Sequence, residues 1–89
     1  ELENKNGEAM MLNRIGTVYN SLSDTEEALN FFLKSLKIYE ELGEENEIAN
    51  PLNNLGSYYS GVMDYRRSLD YYLHSLRVNE KVNDWDFIK

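Results

Sequence analysis

Apolar residues recur at helical spacing in two separate blocks of this chain. Leu12, Ile15, Val18, Tyr19 and Leu22 keep the three-and-four spacing of one helix face, and Leu52, Leu55, Tyr59 and Val62 repeat it. Each block runs into a short turn that ends in aspartate, Ser23-Asp24 in one case and Met63-Asp64 in the other. A carboxylate placed there can accept from the orphan N–H groups that open the next helix. Two further stripes follow, Ala28, Leu29, Phe32, Leu33 and Leu36, then Ser68, Leu69, Tyr72, Leu73 and Leu76. The pattern predicts two antiparallel helical hairpins and no strand. Their first helices fall near residues 8–22 and 48–62, their second helices near 25–42 and 65–82. Pro51 is expected in the first turn of its helix, where the missing N–H costs little.

The two blocks are copies. The stretch LNNLGSYY at 52–59 restates LNRIGTVY at 12–19, forty residues upstream. The same shift pairs Ala9 with Ala49, Asp24 with Asp64, Leu33 with Leu73, Ser35 with Ser75 and Glu40 with Glu80. About fifteen of the forty-nine alignable positions are identical, against roughly one in fifteen by chance, so the period marks stacked repeat units. The flanks obey the shift too, with Glu1-Leu2 matching Glu41-Leu42 and Ile48 matching Ile88. Repeat 1 is accordingly placed at about 8–42 and repeat 2 at about 48–82. Residues 1–7 read as the end of a preceding repeat and 83–89 as the start of a following one, as in a fragment of a longer array. The expected fold is all-α, a solenoid of two helix-turn-helix hairpins.

Steric logic supports that stacking. Gly16 and Gly56 lack a side chain where the helices of a hairpin cross, with small Ala28 and Ser68 facing them a helix later. Phe32 and Tyr72 are expected to fill the layer between hairpins, and Ser35 and Ser75 to occupy small-residue packing positions.

Composition narrows the chemistry. At 89 residues and 10.4 kDa the chain is one small domain, and 42% hydrophobic residues suffice for it to fold. A net charge of -7 repels phosphate backbones and anionic lipid, so neither nucleic acid nor membrane is an expected partner. No apolar run approaches the roughly 20 residues that span a bilayer. The single histidine, His74, lies one turn after Asp70, but two ligands without a third make a weak metal site. The cluster Glu40, Glu41, Glu44, Glu45 and Glu47 lacks the Asp/Asn/Gly order of a calcium loop. No histidine is placed to act as base for Ser35 or Ser75. Neither an enzyme, a cofactor nor a metal is expected.

The residues resemble the tetratricopeptide repeats over nearly the whole chain. That family's loose pattern is met by Leu12, Ile15-Gly16, Tyr19, Ala28, Phe32 and Ser35, then by Leu52, Leu55-Gly56, Tyr59, Ser68, Tyr72 and Ser75. The forty-residue spacing and the L-N-x-[IL]-G opening resemble the longer-helix subgroup of kinesin light chains, polarity adaptors and bacterial signalling proteins. Two features depart from the pattern: the turn glycine is replaced by Ser23 and Met63, and the closing proline is absent.

The resemblance implies a right-handed solenoid and an interaction module whose first helices line a concave groove. Side chains off the core stripe would point into it: Asn13, Arg14, Thr17 and Asn20, then Asn50, Asn53, Asn54 and Ser57. Amides donate and accept at once, which suits gripping the backbone of an extended or helical peptide from a protein partner. A carboxylate clamp is not encoded, because Arg14 is the sole cation of that set. The alternative is a regulatory or self-association segment of a larger signalling protein such as a kinase, cyclase or transcription regulator. Trp85, Phe87 and Ile88, at the phase where another repeat would begin, are the expected self-association surface and allow a homodimer through exposed repeat ends. The expected setting is cytoplasmic.

Overall fold

The computed structural model describes residues 2–83, with burial assigned for residues 4–80. Four helices follow one another: α1 (Leu2–Ser21), α2 (Thr25–Leu42), α3 (Glu45–Gly61) and α4 (Tyr65–Asn83), with no strand among the described residues. α1 pairs with α2 and α3 with α4, while α2 and α3 pack between the hairpins and α1 touches α3. This is the expected architecture, with two shifts of boundary. α1 begins at Leu2 rather than near residue 8, and α3 begins at Glu45. Pro51 therefore lies inside α3 rather than in its first turn, without an N–H for the helix ladder. Its ring is buried, so it serves the packing at the expense of one backbone bond.

Within each hairpin the same contacts occur twice. A Cβ added to Gly16 would lie 2.7 Å from the Phe32 ring, and one added to Gly56 would lie 2.9 Å from the Tyr72 ring. The glycines thus make room for an aromatic ring of the second helix. Ser68 does meet Gly56 as well, donating from Oγ to its carbonyl at 2.8 Å. Ser35 and Ser75 donate in turn to the carbonyls of Ala9 and Ala49, at 2.7 and 3.4 Å. Stacked rings close each hairpin near its turn: Tyr19 on Phe31 at 5.3 Å and Tyr59 on Tyr71 at 5.6 Å, both nearly parallel. These pairs sit forty residues apart at both partners, so the repeat extends to side-chain geometry.

Burial is unequal, contrary to the simple repeat expectation. Phe32 is 1% exposed, in a cluster with Ala28 and with Leu55 of α3. Its counterpart Tyr72 is 42% exposed, and Leu69 and Leu76 are exposed with it, whereas Leu33 and Leu73, both expected in the stripe, are exposed alike. Val18, Leu22 and Val62, read from spacing as core-facing, are also exposed. They lie toward the hairpin turns, beyond the crossing that Gly16 and Gly56 define.

The three turns share one backbone motif. Asp24 N–H donates to Tyr19 O at 2.9 Å, Asp64 N–H to Tyr59 O at 2.8 Å and Glu44 N–H to Tyr39 O at 3.1 Å. Each closes the six-residue ring that ends a helix on a left-handed residue. That residue is Ser23 (φ 66°), Met63 (φ 66°) or Gly43 (φ 71°). Loop geometry is therefore kept although two of the three glycines are missing. The caps beyond the turns are uneven. Asp64 Oδ1 accepts from the Arg67 N–H at 3.3 Å, whereas Asp24 makes no side-chain cap bond, against the sequence expectation.

Two stability predictions follow from these contacts. Gly16→Ala drives a methyl into a ring held on its far side by α3, and overpacking of that kind costs ~1–3 kcal/mol against ~1 kcal/mol gained in helix propensity. Gly56→Ala meets a ring that can swing toward water, so its net effect is smaller. Urea unfolding should show Gly16→Ala with the lower midpoint of the two. Met63→Gly should raise stability by about 0.5–1 kcal/mol by relieving the left-handed backbone, since the exposed methionine side chain gives up little packing. Gly43→Ala should lower it by a comparable amount in the same denaturation series.

Candidate functional site

The first helices bring some of the groove candidates together. Asn54 of α3 donates from Nδ2 to Asn13 Oδ1 of α1 at 2.9 Å, a half-buried bond across the two hairpins. One amide pair is thus already engaged within the protein. Thr17 donates its hydroxyl to the carbonyl of Asn13 at 3.1 Å, the local back-bond that a helical threonine commonly makes. Asn50 donates to Glu47 Oε1 at 3.4 Å. Arg14, Asn53 and Ser57 are exposed, and Asn20 is half-buried. The eight candidates therefore fall into a structural pair, two locally bonded side chains, the half-buried Asn20 and an exposed trio of Arg14, Asn53 and Ser57.

Arg14 also acts on its surroundings. Tyr39 is buried where α2 ends, and burial raises its phenol above the ordinary tyrosine value. The carboxylates of Glu47 and Glu44 push it further in the same direction, and the Arg14 guanidinium opposes them. Tyr71 behaves alike, raised by burial and by Tyr59, with Arg67 opposing.

Sequence reasoning missed a cavity at the open end of the second hairpin. It measures about 420 Å³ and is lined by Glu45, Ile48, His74, Arg77 and Val78. Ile48 and Val78 give it apolar walls, with two groups that can carry positive charge and one carboxylate at its sides. The only sequence signal was an exchange in the repeat, Lys34 and Lys37 becoming His74 and Arg77. His74 is exposed as well as lining this cavity. No group of three or more His, Cys, Asp or Glu able to hold a metal occurs among the described residues. No described helix is long and apolar enough to cross a membrane. Trp85, Phe87 and Ile88 lie outside the described residues.

Two stacked helical hairpins, each closed by a glycine–aromatic crossing and linked by a side-chain amide bond between their first helices, define a helical-repeat protein. A family model for the tetratricopeptide repeat matches residues 7–81, and the chain belongs to that family. Comparison with curated proteins finds no match. Repeats of this family generally mediate protein–protein interaction, and the family is typically non-catalytic.

The division among the asparagines generates a prediction. Asn54→Ala removes the donor to a half-buried amide oxygen and should cost about 1 kcal/mol. Asn53→Ala, at an exposed position, should stay within about 0.5 kcal/mol of the parent protein. Thermal unfolding of the two variants side by side checks this, and equal effects would contradict the assignment of the Asn13–Asn54 bond.

Proposed function

We propose that this chain is a non-catalytic interaction module that captures an extended or helical peptide along the face shared by α1 and α3. The observation that carries this reading is the Asn13–Asn54 bond, which ties the first helices side by side while Arg14, Asn53 and Ser57 remain exposed. A peptide laid across these helices meets one cation, one free amide and one hydroxyl. The amide can satisfy both an N–H and a C=O of the ligand backbone, so recognition depends on backbone shape more than on ligand side chains. Arg14 adds a preference for an acidic or carbonyl-rich stretch. Asn20, Thr17 and Asn50 extend the same face at its edges.

A second reading is that the chain is a self-association segment of a larger signalling protein. The exposed leucines of α4 favour it, and the apolar Trp85, Phe87 and Ile88 follow α4 in the sequence.

Panning a random peptide library against the 89-residue chain, then titrating the selected peptides by fluorescence anisotropy, tests the first reading. Asn53→Ala and Arg14→Ala should each weaken binding about five- to tenfold, as expected for loss of a hydrogen bond of about 1 kcal/mol. Lys37→Ala on α2, away from that face, should leave binding unchanged. Peptides that bind Asn53→Ala and Arg14→Ala as tightly as the parent chain would place recognition elsewhere and overturn the groove.

A further inference from the structure

The molecule uses one helix interface internally and, among the described residues, carries both halves of it again, exposed or half-buried, on α4 and α1. Leu29, Phe32 and Leu36 of α2 lie in or against the core that Leu55 of α3 helps to form. Their counterparts on α4, Leu69, Tyr72 and Leu76, are exposed. The other half shows the matching deficit. Pro51, Leu52 and Leu55 are buried on α3, which packs on α2, whereas their counterparts on α1 are not: Met11 is 52% exposed, and Leu12 and Ile15 are half-buried. The exchanges between copies, Phe to Tyr, Leu to Ile and Pro to Met, keep apolar bulk at each position. Scattered apolar residues on a surface need no explanation, but two faces that are complementary by internal repetition do.

The polar contact across the junction can be rebuilt in the same way. Inside the molecule Asn54 donates to Asn13 Oδ1. Forty residues away in each case, the donor position holds Arg14 and the acceptor position holds Asn53, both exposed. A guanidinium offers only donors and an amide oxygen accepts, so the polarity of the bond is preserved. A second copy whose α1 lay on α4 as α3 lies on α2 would set its Arg14 against Asn53 of the first.

We propose that the chain associates head to tail, α1 of one copy docking on α4 of the next through contacts that reproduce the α2–α3 interface. This rests on the self-association reading and names the faces and the symmetry. The contact is heterologous, so it does not close in a pair and instead extends the stack by two hairpins per copy.

Sedimentation equilibrium across a wide concentration range should give a mean mass that rises past the dimer without levelling there. Leu76→Glu on α4 and Met11→Glu on α1 change exposed positions, and circular dichroism should show the helices retained. Each variant alone should be monomeric, because each has lost one half of the contact. Mixed, they should form a one-to-one heterodimer that grows no further, since the first keeps a usable α1 and the second a usable α4. Arg14→Ala should weaken the association of the parent chain about tenfold, and removal of residues 84–89 should leave it in place. A single variant that still dimerises, or a mixture that stays monomeric, overturns the head-to-tail contact. Loss of association on removing 84–89 assigns the surface to Trp85, Phe87 and Ile88 and overturns it too. A parent chain that is monomeric throughout overturns the self-association reading along with it.

Discussion

The ring of Phe32 is where three helices meet, and the arrangement of the rest follows from it. On one side it lies so close to Gly16 that a methyl group there would overlap it. On the other it shares a buried cluster with Leu55. The distance from α1 to α2 and the seat of α3 are therefore set by a single side chain, which a glycine on one helix and a leucine on another are shaped to hold. Hydrophobic burial supplies the attraction, but it has no direction. Direction comes from steric exclusion: only one crossing lets a glycine face a ring while the flanking residues remain in helical register. Ser35, donating to the carbonyl of Ala9, fixes the same two helices a turn further on.

How much of this was legible in the sequence depended on what the repeat could encode. The number of helices, their pairing and the need for glycine at 16 and 56 could be read, because each copy confirmed the other. Burial could not be read from the repeat, since a residue's exposure depends on its neighbours in space. Phe32 and Tyr72 occupy the same register, yet one is enclosed by the following hairpin and the other is not. The caps divide the copies in the same way: both aspartates close their turns through the backbone N–H, yet only Asp64 adds a side-chain bond to the next helix, and the repeat does not encode that difference. Among groove residues, sequence placed Asn13, Asn53 and Asn54 in one class. It could not tell that Asn54 is engaged by Asn13, because that bond joins residues forty-one apart through the packing of the hairpins.

The recognition and the assembly proposed for this molecule would draw on neighbouring groups. The exposed side of α1 and α3 carries amides and one guanidinium, while the apolar surplus lies on α4 and on the outer face of α1. A peptide in the groove and a second copy at the end would both approach Arg14 and Asn53, so the two readings are linked at those residues and separate at Leu76 and Met11. That arrangement suits a module in which extending the stack also lengthens the surface offered to a ligand. The net charge of -7 opposes close approach of copies at low salt, and screening would lessen that opposition.

The uneven burial of α2 and α4 also bears on the order in which the protein comes apart. α2 buries Ala28, Phe32, Ser35 and Tyr39, while the buried side chains described on α4 are the serines at 68 and 75. α4 is thus held mainly by hydroxyl bonds, the Tyr59–Tyr71 stack and the edges of its leucines. In a linear array each unit is retained by its neighbours, and the unit with fewest buried contacts is released at the lowest free energy. α4 is therefore released more readily than α2, whose Phe32 ring is enclosed by Gly16 of α1 and Leu55 of α3. Anything that settled on α4 would act as a clamp as well as a contact, because it would cover a helix whose described buried side chains are only two serines.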